Sequence, residues 1–489
     1  MRTSGILMPV FSLPSPYGIG TFGKEAYRFV DFLDKAGQSY WQILPLGPTS
    51  FGDSPYQSFS SFAGNLYFID PDMLIEKGLL IKAQVQKFDF GAGDKIDYGK
   101  LYENRLPMLK LAFDNFVPDA EYEKFCRENE WWLEDYVLFC ALKSAFDGRS
   151  WSEWDERYRL RDEKVLSEVK EKFSDTLELY RFIQYEFSLQ WTALKKYANQ
   201  KGIKIIGDLP IYVAYDSADV WADTKQFLLD KDGRPTLVAG CPPDAFSKDG
   251  QLWGNPIYDW KFMQKDGYSW WIRRINYVLE LYDVVRIDHF RGFESFYAIP
   301  YGDKTAKNGK WLKGPDMKLF NKLGKLPIIA EDLGFITPQV KKLLEKSEFP
   351  GMKVLQFAFD TREESDYLPH NYEKNCVVYT GTHDNDTIMG WAESAAPEDV
   401  EMARRYLHVD DSEGFNWAMM RAALMSVADT AILMMPDLLG LGSEARINTP
   451  SKLGGNWNWR IGEGCINDWL AKILYENTLL YSRAKKTGD

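Results

Sequence analysis

The sequence predicts an α/β protein: a (β/α)8 TIM-type barrel with a large helical insertion and long loop insertions at its C-terminal face. Short, nearly continuous apolar runs alternate with segments of helical spacing, which is typical of parallel βα units. We count eight such runs, enough to close a barrel, and almost every run ends in polar residues. A doubly wound open sheet is the alternative, but no GxGxxG motif follows a first strand.

We assign the strands, in chain order, to WQILPLG, LYFID, IKIIGDLPIYV, VVRIDHF, PIIAEDLG, MKVLQFAF, VVYTGTHDNDT and AILMMPDLLG. Residues 1–23 are interpreted as a loop rich in Pro and Gly, followed by a helix over 25–36. The barrel is therefore predicted to start within residues 1–72 and to resume over 198–489, with a loop insertion at about 215–275.

The segment 73–197 differs in character from the rest of the chain. Glycine becomes scarce there, and charged and aromatic residues recur at helical spacing. We predict a mainly helical insertion whose Trp and Tyr side chains serve packing.

Composition limits the classes of protein to consider. A formal net charge of −12 over 489 residues argues against a nucleic-acid partner and against a polybasic membrane anchor. The five cysteines are odd in number and lack CxxC spacing, which favours a reducing compartment and no structural zinc. Because the sequence has neither a signal-peptide core nor a membrane span, we expect a cytoplasmic protein.

The run VVRIDHF carries two opposite charges on one face of an apolar strand, because side chains two residues apart point the same way. One interpretation of Arg286 and Asp288 is a structural ion pair inside the sheet. The other is a strand-end carboxylate that the guanidinium keeps ionised, with a depressed pKa, so that it can act as a nucleophile.

Two further acids at strand ends favour the second interpretation. Cleavage of a glycosidic bond needs a carboxylate nucleophile and a carboxylic acid on opposite sides of the bond, and separate strands of one barrel could supply both. Glu331 follows the apolar residues 328–330, which would raise its pKa and suit a general acid/base. In GTHDNDT, His383 and Asp384 could hold sugar hydroxyls.

Other chemistries have less support. The four histidines show no HExxH motif and no pair at metal-ligand spacing. No GxSxG elbow or Walker motif is present. We therefore expect neither a metal nor a cofactor.

Longer motifs spread over nearly the whole chain resemble one known family. They are GILMPVFSLPSPYGIGTFG, GDSPYQSFSSFAGN, GDLPIYV, AGCPPDAFSKDGQLWGNPIYDW, VVRIDHFRGF, AEDLG, GTHDNDT and PDLLGLGSEARINTPSKLGGNWNWR. Together they resemble the amylomaltase, or disproportionating-enzyme, family of 4-α-glucanotransferases, which is related to the α-amylase superfamily.

The resemblance implies transfer of α-1,4-glucan segments between maltooligosaccharides, or to glucose, by retaining double displacement. It implies that Asp288 is the nucleophile, Glu331 the acid/base and Asp384 the stabiliser of the transition state. It also implies a set of substrate-binding residues: Tyr56, Asp208, Asp244, Phe246, Trp253, Arg286 and His383.

Two other functions remain compatible with the sequence. A hydrolytic enzyme similar to α-amylase would share the acids and differ in how water reaches the intermediate. A non-catalytic glucan-binding protein would keep the aromatic residues, although the presence of all three acids speaks against it. We predict that the loop 240–260 folds over the site and excludes water, which would favour transfer.

Overall fold

Two β-sheets organise the computed structural model, which describes residues 2–50, 52–243, 247–334, 336–362, 364–410, 412–452 and 454–485. The strands are β1 (Thr3–Leu7), β2 (Tyr40–Gln42), β3 (Lys204–Leu209), β4 (Leu237–Cys241), β5 (Gln251–Pro256), β6 (Val284–Ile287), β7 (Ser295–Pro300), β8 (Lys310–Lys313), β9 (Ile328–Ala330), β10 (Gly351–Val354), β11 (Cys376–Tyr379) and β12 (Thr430–Met434). Eight of them form a parallel sheet in the order β10-β11-β12-β1-β2-β3-β6-β9, which confirms the predicted barrel. The other four form an antiparallel sheet in the order β5-β4-β7-β8.

Helices lie between and around these strands. They are α1 (Lys24–Lys35), α2 (Pro71–Glu76), α3 (Lys82–Val85), α4 (Tyr98–Phe113), α5 (Ala120–Ala145), α6 (Glu156–Arg159), α7 (Glu163–Lys172), α8 (Ser174–Gln200), α9 (Ala218–Ala222), α10 (Trp260–Lys265), α11 (Ser269–Leu281), α12 (Met317–Phe320), α13 (Pro338–Ser347), α14 (Ile388–Ser394), α15 (Pro397–Leu407), α16 (Phe415–Met425), α17 (Met435–Leu438) and α18 (Asp468–Leu480). In the part of the chain that the structure describes, none of them has the length and apolar character needed to cross a membrane.

One strand assignment and one loop assignment require correction. The segment LYFID contains no strand: Leu66–Phe68 is a 3-10 turn, and the side chain of Asn65 accepts the N–H of Tyr67 at 2.9 Å. This cap favours a tight turn over an extended ladder. The eighth barrel strand is instead β1, which lies within the segment that we interpreted as a loop and pairs with both β12 and β2.

The helices α3 to α7 lie within the predicted insertion 73–197, while α2 begins before it and α8 ends after it. The two longest, α5 and α8, pack against each other, and Arg181 on α8 forms an ion pair with Glu134 on α5 at 2.7 Å. Apolar side chains of these helices belong to the same buried cluster as the barrel core. Trp191 of α8, for example, contacts Phe22 at the start of the chain, with 5.2 Å between ring centroids.

The barrel has a seam between β9 and β10, the two ends of the parallel strand order. Ala330 donates its N–H to the carbonyl of Pro350 at 2.9 Å, the bond expected between parallel strands. The carboxylate of Asp332 accepts the N–H of Met352 at 2.7 Å and so joins the two strands by a side chain. At Gly351, an added Cβ would lie 2.7 Å from the Asp332 carboxylate, so this joint requires glycine.

Candidate active site

The carboxyl ends of β3, β6 and β9 bring four polar side chains together. Asp208 and Arg286 are register partners on the neighbouring strands β3 and β6, and both side chains are buried. Asp288 follows β6, and its N–H bonds to the last carbonyl of β3 at 3.0 Å. Glu331 follows β9 and bonds in the same way to the last carbonyl of β6, also at 3.0 Å. Asp288 and Glu331 therefore extend from adjacent strand ends.

Arg286 binds two carboxylates at once. Its Nη1 donates to both oxygens of Asp208, at 2.8 and 2.7 Å, and its Nη2 lies 3.1 Å from Oδ1 of Asp288. The Arg286 side chain is only 4% exposed, whereas 29% of the Asp288 side chain remains accessible. The guanidinium thus orients Asp288 toward the open end of the barrel.

The expected depression of the Asp288 pKa is wrong. Burial raises the pKa of this carboxyl, and the charges of Asp208, Glu331 and Asp384 raise it further, while Arg286 lowers it. The correction has a structural cause: Asp208 already neutralises Arg286, so the guanidinium offsets only part of the desolvation of Asp288. The sequence placed Arg286 beside Asp288 but did not show the second carboxylate.

Glu331 is held by two backbone amides. His289 donates its N–H to Oε2 and Leu333 donates its N–H to Oε1, both at 2.7 Å. His289 reaches this position because its backbone is left-handed, with φ 50°. Burial raises the pKa of Glu331, as predicted, although Arg286 and the two amides lower it. A raised carboxyl pKa is the property that a general acid requires.

Asp384 faces the same opening from the loop after β11. Its Oδ2 lies 3.4 Å from Nε2 of His383, and its Oδ1 accepts a hydrogen bond from Nδ2 of Asn448 at 2.6 Å. About half of its side chain, 48%, is exposed, so the carboxylate can still accept hydroxyl groups of a ligand. Our sequence reasoning did not single out Asn448, although it lies within the closing motif.

Three aromatic rings form a cluster beside the carboxylates. Tyr56 donates its hydroxyl to Asp208 at 2.7 Å and stacks on His383, with ring centroids 4.9 Å apart. Trp457 packs against both rings, at 5.7 Å from each. Sequence reasoning missed Trp457; its only signal was the Gly-rich motif GGNWNWR, in which Trp457 adopts a left-handed backbone with φ 62°.

The antiparallel sheet brings Trp253 to the site from the other side. Its ring meets the His289 ring edge-on, with 4.9 Å between centroids. Burial, with a contribution from Arg291, lowers the pKa of His289 to about 3, so this imidazole is neutral. Trp253 lies on β5, which pairs with β4 as a hairpin. The predicted binding residues Asp244 and Phe246 lie outside the described residues.

This arrangement defines a class of protein. A parallel barrel that presents two partly buried carboxyls on adjacent strand ends, with a third carboxylate and aromatic rings around them, is a carbohydrate-active enzyme of the type that breaks glycosidic bonds. The sequence profile of 4-alpha-glucanotransferase matches residues 8–464. The chain belongs to the 4-alpha-glucanotransferase family, and its reaction is the transfer of α-1,4-glucan segments.

Individual relatives agree with this assignment. The chain is 51% identical to the 4-alpha-glucanotransferase of Clostridium butyricum over 487 residues, covering 98% of this chain and 100% of that protein. It is 50% identical to the Thermus thermophilus enzyme of the same name over 480 residues, 95% of each. Among solved structures, the amylomaltase from Streptococcus agalactiae in complex with acarbose superposes with a TM-score of 0.96 and 43% identity, covering 99% of this chain and 100% of that one.

Proposed function

We propose that the enzyme disproportionates maltooligosaccharides through a covalent intermediate on Asp288. In the first step a carboxylate oxygen of Asp288 attacks the anomeric carbon of the donor, and the bond to the leaving glycosidic oxygen breaks. Glu331 gives its proton to that oxygen, so the shortened glucan leaves as an alcohol. The product on the enzyme is a glucosyl ester of inverted configuration.

In the second step the now ionised Glu331 removes the proton from the 4-hydroxyl of an acceptor glucan. The acceptor oxygen attacks the anomeric carbon, and the ester bond to Asp288 breaks. Two inversions restore the α configuration. The observation that carries this assignment is the adjacent strand-end placement of Asp288 and Glu331, with Arg286 on the first and two amides on the second.

We propose that the remaining polar residues grip the sugar on the donor side. Asp384 is partly exposed and is positioned to accept two hydroxyls of the glucose ring as positive charge develops there. Asp208, Arg286 and His383 surround the same space, and the Tyr56 ring closes it. We propose Trp253, with Asp244 and Phe246, for the acceptor side, where apolar ring faces pack on sugars.

The substrates that we propose are maltooligosaccharides, glucose and longer α-1,4-glucans. The acarbose complex of the amylomaltase from Streptococcus agalactiae supports binding of an oligosaccharide-like ligand in this fold. We also propose that the enzyme works in the cytoplasm, since its five cysteines form no disulfide.

Incubation with maltotriose tests the proposed function. We expect glucose together with a ladder of longer maltodextrins, resolved by chromatography, because one trisaccharide donates to another. An Asp288→Ala variant should give no ladder over the same time. Glucose and maltose without longer products would show a hydrolase, and wild-type binding of maltotriose without turnover would show a glucan-binding protein.

Asp208→Asn should shift the acidic limb of the pH profile of kcat/KM to lower pH. The negative charge of Asp208 raises the pKa of Asp288, and its pairing with Arg286 weakens the effect of that cation on Asp288. Both influences disappear in the variant, so Asp288 stays ionised, and able to attack, at lower pH. We expect kcat/KM itself to fall by about 10- to 100-fold, because charged hydrogen bonds to Arg286 are lost.

The exposed acid Asp232 provides the control for this measurement. The profile of Asp232→Asn should superimpose on that of the wild type. An acidic limb that stays in place or moves to higher pH in Asp208→Asn would contradict the proposed coupling between Asp208 and the nucleophile.

A further inference from the structure

One buried acid near the site has no part in the proposed chemistry. Asp437 lies on α17, immediately after β12, and its side chain has no exposed surface. Its Oδ2 accepts the hydroxyl of Thr380 at 2.7 Å, and its Oδ1 accepts the backbone N–H of Ile388 at 2.8 Å. Among the described residues it takes part in no ion pair with a basic side chain. Burial raises its pKa to about 7.

The two partners of Asp437 mark the two ends of one functional loop. Thr380 is the first residue after β11, and Ile388 is the first residue of α14. The residues between them include His383 and Asp384. A single carboxyl group therefore bonds both ends of the loop that carries the proposed transition-state stabiliser.

Asp437 is itself fixed to the barrel. Its backbone carbonyl accepts a hydrogen bond from Nδ2 of Asn416 on α16 at 2.8 Å. β12, which precedes it, is the hydrogen-bonded neighbour of β11. The hydroxyl of Thr380 also accepts the N–H of Met434, the last residue of β12, at 3.3 Å. The ends of the loop 380–388 are thus bonded to a carboxyl group whose position β12 and α16 fix.

Residues of the motif PDLLGLGSEARINTPSKLGGNWNWR bond to the middle of the loop 380–388. Asn448 bonds to the Asp384 carboxylate at 2.6 Å, and Arg446 donates to the Asp384 backbone carbonyl at 2.8 Å. Asn448 also donates its backbone N–H to the carbonyl of His383 at 3.0 Å. Asp384 is therefore fixed from two sides, by Asp437 through the loop ends and by Asn448 directly.

Burying a carboxyl group without a cation lowers stability, and an apolar residue of similar size would avoid this cost. We propose that Asp437 is a positioning residue for the reaction, which sets His383 and Asp384 in place by closing the loop 380–388 at both ends. This inference rests on the role proposed above for Asp384.

The first test compares Asp437→Leu with Asp437→Asn. Leucine can bond to neither loop end, so we expect kcat to fall by about 10- to 100-fold, the scale of effect that follows from misplacing a reacting group by about 1 Å. KM should change less than kcat, because Asp384 is proposed to act mainly in the transition state. Asparagine can accept from Ile388 and donate to Thr380, and it should restore most of the rate.

Thr380→Val provides a milder variant in case Asp437→Leu does not fold. It removes the bond to Asp437, together with the longer bond from the N–H of Met434, and changes the volume little. We expect a loss in kcat of about 3- to 10-fold. The buried acid Glu186, which pairs with Lys77 at 2.7 Å in the helical insertion, gives the matched control. Glu186→Gln should lower the melting temperature but leave the kcat of folded enzyme unchanged.

A double-mutant cycle on acarbose affinity separates positioning from general destabilisation. We expect Asp437→Leu, or Thr380→Val in its place, to weaken the calorimetric Kd for acarbose by about 5-fold or more in the wild-type background. In an Asp384→Ala background it should change Kd less than about 2-fold, because the group being positioned is gone. Equal factors in both backgrounds, or unchanged kcat in both Asp437→Leu and Thr380→Val, would overturn the inference.

The proposed roles of Asp384 and Asp437 can fail separately in these experiments. If Asp384→Ala itself retains wild-type kcat, the role proposed for Asp384 fails, and the inference about Asp437 falls with it. If Asp384→Ala is inactive while Asp437→Leu and Thr380→Val both retain wild-type kcat, only the role of Asp437 is overturned.

Discussion

Asp288→Ala will lower the rate of glucan transfer on the order of 10⁴- to 10⁶-fold, the scale seen when a covalent nucleophile is removed. The reason is that the carboxylate of Asp288, directly after β6, is the group that we propose to form the ester, and the variant leaves no carboxylate at the 3.1 Å contact with Nη2 of Arg286. The initial rate with maltotriose is the measurement. Maltotriose binding should survive, because Asp208, His383 and Tyr56 remain in place.

A sharper readout uses α-maltosyl fluoride as donor and azide as a replacement nucleophile. In Asp288→Ala, azide can enter the space left by the carboxylate, attack the anomeric carbon and displace fluoride, which gives β-maltosyl azide. Asp283→Ala removes an acid from the opposite end of the same strand and should retain transfer activity. An α-azide from Asp288→Ala, or undiminished transfer, would contradict the assignment of the nucleophile.

Glu331→Ala will lower transfer from maltotriose by about 10²- to 10⁴-fold, the range typical of a general acid/base. The loss should nearly vanish for the first step with α-maltosyl fluoride, because fluoride leaves without a proton. The glycosyl ester on Asp288 should then accumulate, since no base activates the acceptor, and mass spectrometry of the intact protein would detect it.

Azide gives the opposite stereochemistry in this variant. It attacks the ester from the face that Glu331 has vacated, so the product should be α-maltosyl azide. Glu345→Ala, on the exposed surface of α13, serves as the control and should behave as the wild type. If Glu331→Ala lost the fluoride reaction as fully as the maltotriose reaction, its role as acid/base would be wrong.

Short-range patterns in the sequence were sufficient to find most of the barrel. The run VVRI is β6, and its polar continuation places Asp288 at the carboxyl end, as predicted. Local patterns failed where flanking strands or a capping side chain determine the secondary structure of a segment. The segment 3–7 forms a central strand because β2 and β12 flank it, and Asn65 caps a turn where the apolar run LYFID had predicted extension.

The candidate site also combines features that local sequence patterns predict with features that depend on residues distant in the sequence. Asp288, Glu331 and Asp384 were found as acids at strand ends, since that feature is local. The contact of Asn448 with Asp384 joins residues 64 positions apart, and no spacing rule connects them. The predicted pKa direction of Asp288 was wrong because that direction depends on burial in the folded barrel and on Asp208 of another strand, neither of which a local pattern shows.

We expect the barrel to open first at the seam between β9 and β10, because no regular ladder joins these two strands. Glu331 stands at the end of β9, one residue beyond the amide that bonds to Pro350 and one residue before Asp332, whose carboxylate closes the seam. Backbone amides on either side of it should therefore exchange with deuterium sooner than those between β1 and β12, where the ladder is regular. On heating, we expect Glu331, the proposed proton donor, to be released from its place while the rest of the barrel is still folded, so that inactivation precedes unfolding and is reversed by cooling.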